Sequence, residues 1–126
     1  MTDPPLDEHG LPRGYHFDPQ WELTPRQVKA MRERGEPMVL LDCRKPEEVR
    51  VADMGADLLV PMQELGQRFD ELEPYRAQRV VVHCHHGVRS LRVTAALRQQ
   101  GFTDVMSLAG GIDLWSRDVD PSVPRY

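Results

Sequence analysis

Cysteine is scarce, with two in 126 residues, too few for the disulfide framework that staples small secreted domains. No stretch approaches the roughly 20 apolar residues that a membrane span needs. The N-terminus, Met1-Thr2-Asp3-Pro4-Pro5, carries neither a basic region nor an apolar signal core. Excess positive charge is lacking too: the net charge of -4 gives no broad cationic surface for nucleic acid. Internal repeats and low-complexity segments are also missing. Together these absences predict a cytoplasmic chain with reduced thiols, no membrane partner and no nucleic-acid partner. Its length suits one domain with a real core, and hydrophobic and charged fractions of 40% and 29% are ordinary for a globular protein.

Residues 1–20 hold four of the eleven prolines, charges and scattered aromatics without periodicity, which predicts an N-terminal arm that packs late or partly frays. The domain then runs over 21–126. Thr24-Pro25-Arg26-Gln27 supplies a capping hydroxyl, a proline at the first helical position and Gln at the third, the signature of a helix start. Gly35 stops that helix. Met38-Val39-Leu40-Leu41 is a short apolar run, the pattern of a strand buried on both faces. The pattern recurs at Asp57–Val60, at Arg79–His83 and more weakly at Asp104–Ser107. Helical segments are expected at Pro46–Val51, Met62–Leu72 and Arg89–Gln100. Strand and helix alternate, so the class is α/β with a largely parallel sheet covered by helices.

The chemistry concentrates where the strand Val80-Val81-Val82 passes through Cys84-His85-His86-Gly87-Val88-Arg89-Ser90 directly into a helix. That loop sits at the carboxyl edge of the sheet, where ligands of open α/β sheets bind. A chain that curls so tightly can point successive N–H groups into one concavity, beside the unpaired amides and positive end of the helix. The side chain opening the curl is Cys84, and a thiolate or persulfide there would be stabilised, with its pKa depressed. Gly87 relaxes the steric limits on the curl, Arg89 brings a fixed cation, and Ser90 either caps the helix or donates toward sulfur. Such a cradle serves sulfur transfer and phosphate-ester hydrolysis alike. It requires inward amides and a sulfur that solvent can reach.

This loop resembles the active-site loop of rhodanese-family sulfurtransferases. Leu40-Leu41-Asp42-Cys43-Arg44-Lys45-Pro46-Glu47-Glu48 is similar to the family's Asp-x-Arg-x-x-x-Glu segment, and Leu108-Ala109-Gly110-Gly111-Ile112-Asp113-Leu114-Trp115 to its Leu-x-Gly-Gly-x-x-x-Trp segment. With these three motifs the resemblance covers about Trp21 to Trp115. Val51-Ala52-Asp53-Met54-Gly55-Ala56 departs from the family's Gly-His-Ile-x-Gly-Ala and keeps only Gly-Ala. The resemblance implies a three-layer α/β/α fold around a mostly parallel five-stranded sheet. It also implies a cycle: Cys84 takes sulfur from thiosulfate or a persulfide donor, and the Cys84 persulfide passes it to a thiophilic acceptor, without metal or organic cofactor. In rhodanese-like phosphatases the ring from Cys to Arg is one residue longer, which favours sulfur here. The tail Trp115–Tyr126 is similar to rhodanese domains found with enzymes that adenylate sulfur-carrier proteins. The implied partners are a small anionic sulfur donor and a sulfur-carrier protein or cysteine desulfurase, in a relay for cofactor or tRNA thiolation.

Two alternatives stay open: a phosphatase or arsenate reductase of the same fold, and a non-catalytic binding module. Arg44, just past its strand, either helps bind the donor or forms a strand-end ion pair with Asp42, which could equally hold Arg89. His83, Cys84, His85 and His86 include good zinc ligands, but consecutive residues rarely converge on one ion, so no metal is expected. Cys43 reads as a small apolar strand residue, with a resolving thiol as the alternative. Gly110-Gly111 reads as a tight turn before the last helix. Arg89, Arg92 and Arg98 read as a solvated face that could meet an acidic carrier.

Overall fold

A computed structural model describes residues 3–126; residues 1 and 2 of the arm lie outside the described residues. Its strands are β1 (Glu22–Leu23), β2 (Val39–Asp42), β3 (Leu58–Leu59), β4 (Arg79–His83) and β5 (Asp104–Leu108). They form one sheet in the order β1-β5-β4-β2-β3, and every pairing among them is parallel. Val80, Val81 and Val82 are at most 2% exposed because β4 is central and covered on both faces. β-branched side chains suit such a position, and burying each contributes about 1.5–3 kcal/mol.

The helices are α1 (Pro25–Glu33), α2 (Pro46–Val51), α3 (Val88–Gln99) and α4 (Gly111–Asp118). Thr24 caps α1 as expected: its Oγ1 accepts from the Gln27 amide at 3.1 Å, and Gln27 Oε1 accepts from the Thr24 amide at 2.8 Å. Val28 of α1 and Ile112 and Trp115 of α4 pack on one face of the sheet with Leu40, Val81 and Leu108. Val93 and Leu97 of α3 cover the other face with Leu41, Val80, Val82 and Val105. This is the three-layer α/β/α arrangement. In the divergent segment Ala52 and Met54 are buried and Gly55 has φ 81°.

Two expectations need correction. The helix expected over Met62–Leu72 is instead a series of 3-10 turns at Met62–Glu64, Phe69–Glu71 and Glu73–Tyr75. Leu65, Phe69 and Leu72 still pack on the core, so the apolar spacing reported burial, while Gly66 and Pro74 interrupt the α-helical ladder. The strand expected at Asp57–Val60 shrinks to Leu58–Leu59, an edge strand of half-buried residues. In the arm, Leu6 and Pro12 pair as an antiparallel bridge, and Leu11 packs with Ala109 and Leu114.

Candidate active site

β4 ends at His83, and the chain turns sharply through Cys84–Gly87 before α3 begins at Val88. Gly87 makes this possible: its φ is 99°, and a Cβ there would come within 3.1 Å of the Gly110 amide. The Gly87 amide donates to Cys84 Sγ at 3.1 Å and the Ser90 amide at 3.3 Å. The Ser90 hydroxyl lies 3.4 Å from the sulfur and 2.7 Å from the Ser107 hydroxyl of β5. Ser90 is the third residue of α3 rather than its cap, so its hydroxyl is free to face sulfur.

Why the amides face inward follows from where the carbonyls go. The Cys84 carbonyl accepts from the Ile112 amide at 2.9 Å and the His85 carbonyl from the Asp113 amide at 3.1 Å. The first turn of α4 thus satisfies the outward carbonyls with amides that a helix leaves unpaired. Only glycine permits this approach: Gly111 has φ 62°, and a Cβ there would lie 2.4 Å from the His85 oxygen. Gly110-Gly111 is therefore more than a turn before a helix. It is the surface against which the loop is formed.

The donors set the ionisation of Cys84. Its thiol is lowered to about 4, by the neighbouring Cys43 thiol first and then by the Ser90 hydroxyl and the Ser90 and Gly87 amides, against the opposing cost of burial. Cys43 is displaced upward, because a thiolate there would sit in the core beside the Cys84 sulfur. A thiolate at Cys84 and a neutral thiol at Cys43 is the arrangement this pair takes.

Arg89 turns from the sulfur toward α2, where its two Nη atoms donate to the carboxylate of Glu48 at 2.7 and 2.8 Å. That pairing holds Glu48 down to about 2. Asp42 and Arg44 form the strand-end ion pair: Arg44 donates to Asp42 through Nε at 3.0 Å and Nη2 at 2.7 Å, and both side chains are almost wholly buried. Its remaining donors go to the carbonyls of Glu48 and Ala52 and to the Tyr126 hydroxyl. Asp42 holds Arg44, and Glu48 holds Arg89. The expected solvated arginine face is only partly free, since Arg98 donates to the Val105 and Gln20 carbonyls and covers the Trp21 ring at 4.1 Å.

The imidazoles lie outside the cradle. His85 stacks on Tyr126 with centroids 3.8 Å apart, and its Nε2 is 2.7 Å from the Tyr126 carbonyl oxygen. Burial and the adjacent His86 keep His85 toward its neutral form, so it adds little positive character to the loop. His86 is exposed beside Asp113, and His83 is buried, its basicity lowered by burial. Val88 projects outward and is 62% exposed. Among the described residues no group of three or more His, Cys, Asp or Glu is placed to hold a metal ion, and no helix is long and apolar enough to cross a membrane. Cys84 itself is only 1% exposed, more enclosed than an open cradle requires.

A family model, the Rhodanese-like domain, matches residues 24–118. The chain belongs to the rhodanese-like family. A maize relative named adenylyltransferase and sulfurtransferase MOCS3-1 is 30% identical over the whole chain, which spans only 28% of that relative's length. A relative from Allochromatium vinosum named sulfurtransferase is 36% identical over 70% of this chain and 80% of its own. Among solved structures, a thiosulfate sulfurtransferase from Pseudomonas aeruginosa superposes with a TM-score of 0.68 at 30% identity, over 77% of this chain and 19% of that one.

Four contributors escaped the sequence reading of the site. Glu48 stood in the Asp-x-Arg-x-x-x-Glu motif without a role. Ser107 was signalled only as a polar residue inside an apolar strand. Gly111 was read for its turn alone, and Tyr126 gave no local signal, because its contacts to Arg44, Glu48 and His85 span 41 to 82 residues.

Proposed function

We propose that this rhodanese-like domain is a sulfurtransferase working through a persulfide on Cys84. The observation that carries the reading is the sulfur's setting: two amides and a hydroxyl converge on a thiol that is ionised at neutral pH. With thiosulfate as donor, Cys84 Sγ attacks the outer sulfur, the new S–S bond forms, and sulfite departs with the electron pair of the broken one. A thiophilic acceptor then attacks the carried sulfur and regenerates the thiolate. Two half-reactions at one nucleophile give ping-pong kinetics. The Arg89–Glu48 pair argues against phosphate chemistry, because the one guanidinium in the loop is committed away from its centre.

The names of the maize and mycobacterial relatives, which join adenylyltransferase to sulfurtransferase, support a sulfur-carrier protein as acceptor, with a small anionic donor or a cysteine desulfurase upstream. The test is turnover of thiosulfate and cyanide to thiocyanate, run beside an aryl phosphate, with mass spectrometry for one added sulfur on Cys84. Thiocyanate formation that disappears in Cys84→Ala is the expected result. Phosphate release without thiocyanate would overturn it. The near-complete enclosure of Cys84 favours a second reading, a binding module that retains the fold without the chemistry. In that case iodoacetamide would modify Cys84 no faster than an ordinary thiol at neutral pH.

A further inference from the structure

Cys43 is a second thiol that the cycle above leaves unused. β2 and β4 are neighbours in parallel register, with Leu41 opposite Val82 and Asp42 opposite His83. The ladder continues one step further, since the Cys43 amide donates to the His83 carbonyl at 3.1 Å. Cys43 therefore stands beside Cys84 across the two strand ends. Side chains two residues apart along a strand share a face, and both thiols accordingly join Leu41 and Val82 in one buried cluster. In-register neighbours on adjacent strands are about 4.7–4.9 Å apart, inside the about 4.4–6.8 Å that a disulfide spans between Cα atoms. Both thiols are free. Cys43 is 1% exposed, so an external partner cannot use it, and the electrophile beside it is whatever Cys84 becomes.

We propose that Cys43 is a second reacting thiol, which resolves the Cys84 persulfide from inside the core and releases sulfide, giving the chain a persulfide-reducing activity besides sulfur transfer. The inference rests on the sulfurtransferase reading. Once Cys84 carries sulfur, its own Sγ is no longer an anion but the inner atom of a persulfide, open to attack by a thiolate. Cys43 Sγ bonds to Cys84 Sγ while the bond to the outer sulfur breaks, and that sulfur leaves with the electron pair. Cys43 attacks as the thiolate, its proton having passed to the outer sulfur of the persulfide, so the product is hydrosulfide. The Cys43 sulfur is oxidised from thiol to disulfide level and the outer sulfur is reduced to sulfide. No outside oxidant is required. A dithiol reductant, small molecule or protein, then returns the Cys43–Cys84 disulfide to two thiols and closes the cycle.

In the absence of any acceptor the two chemistries part. The full chain, reduced and freed of thiols, is treated with thiosulfate, then followed by intact mass, sulfide release and peptide mapping. Wild type should gain one sulfur and then lose it as a single equivalent of sulfide, leaving a Cys43–Cys84 cross-linked peptide. Cys43→Ser, which keeps a hydrogen-bond donor beside the sulfur but no second thiol, should retain the added sulfur and release none. A wild-type persulfide that persists without sulfide or cross-link, or sulfide release from Cys43→Ser at the wild-type rate, would overturn the proposal and leave the transfer reading standing. If neither protein gains sulfur, the transfer reading fails first and this one with it. Peptide mapping of wild type decides the matter even if the variant does not fold.

Discussion

Replacing Ser90 by alanine tests the electrostatic origin of the site. The substitution removes a hydroxyl 3.4 Å from Cys84 Sγ and leaves the Gly87 and Ser90 amides in place. A hydrogen bond to a charged group is worth about 1.5–3 kcal/mol, and about 1.4 kcal/mol corresponds to one pKa unit. The Cys84 pKa should therefore rise by about one to two units from its value of about 4, toward about 5 to 6. The sign follows from the depression: the thiolate persists above the lowered pKa and is lost as pH falls through it. The rate of Cys84 alkylation by iodoacetamide, read peptide by peptide, should be flat at neutral pH and fall to half near that pKa. Circular dichroism at each pH would confirm that the fold is intact. Ser107→Ala should shift the profile less, since its hydroxyl reaches sulfur only through Ser90. A wild-type inflection near the ordinary thiol value of about 8.5, or the same inflection in wild type and Ser90→Ala, would refute the reasoning.

Asp42→Asn should destabilise the protein by about 3–5 kcal/mol in urea unfolding, because it leaves the buried Arg44 charge without its counter-ion; a loss below about 0.5 kcal/mol, the scale of a neutral surface change, would mean that the pair is not closed in solution. Gly111→Ala should abolish persulfide formation, since its Cβ would fall 2.4 Å from the His85 oxygen and displace the loop. Gly35→Ala is the control, with φ 67° but nothing within 4 Å; it should cost only the about 1–2 kcal/mol of left-handed strain and leave sulfur loading intact. Equal effects of the two substitutions on loading would remove Gly111 from the support of the cradle.

The fold was legible wherever one local rule had no competitor. Thr24-Pro25-Arg26-Gln27 specifies a capped helix start because hydroxyl, proline and amide all fall at the positions the first turn requires. The central strand β4 was legible because a run of β-branched residues buried on both faces admits few other structures. Met62–Leu72 misled because spacing of apolar residues records which side faces the core, and a chain of 3-10 turns can satisfy it as well as an α-helix can. At Leu58–Leu59 the sequence carried the apolar signal of a central strand, but a position at the sheet edge is decided by the order of strands, which no window of residues contains.

The site divides along the same line. The geometry that gathers Cys84, Gly87 and Ser90 is legible in the sequence because one short loop has to join a strand end to a helix start, and the amides it brings to the sulfur are its own. What makes the loop hold that shape comes from elsewhere in the chain: the amides of Ile112 and Asp113 take its carbonyls, Glu48 takes its arginine, and Ser107 supports its serine. Motif spacing marks some of these residues without saying what they touch. The pairing of Cys43 with Cys84 is the sharpest case, since the two lie 41 residues apart in sequence and become neighbours only through the register of β2 on β4. Register fixes every cross-strand neighbour at once, so the contacts that hold Leu41 against Val82 in the core also set one thiol beside the other. Packing that stabilises the sheet is in this way the same packing that brings a second sulfur beside Cys84.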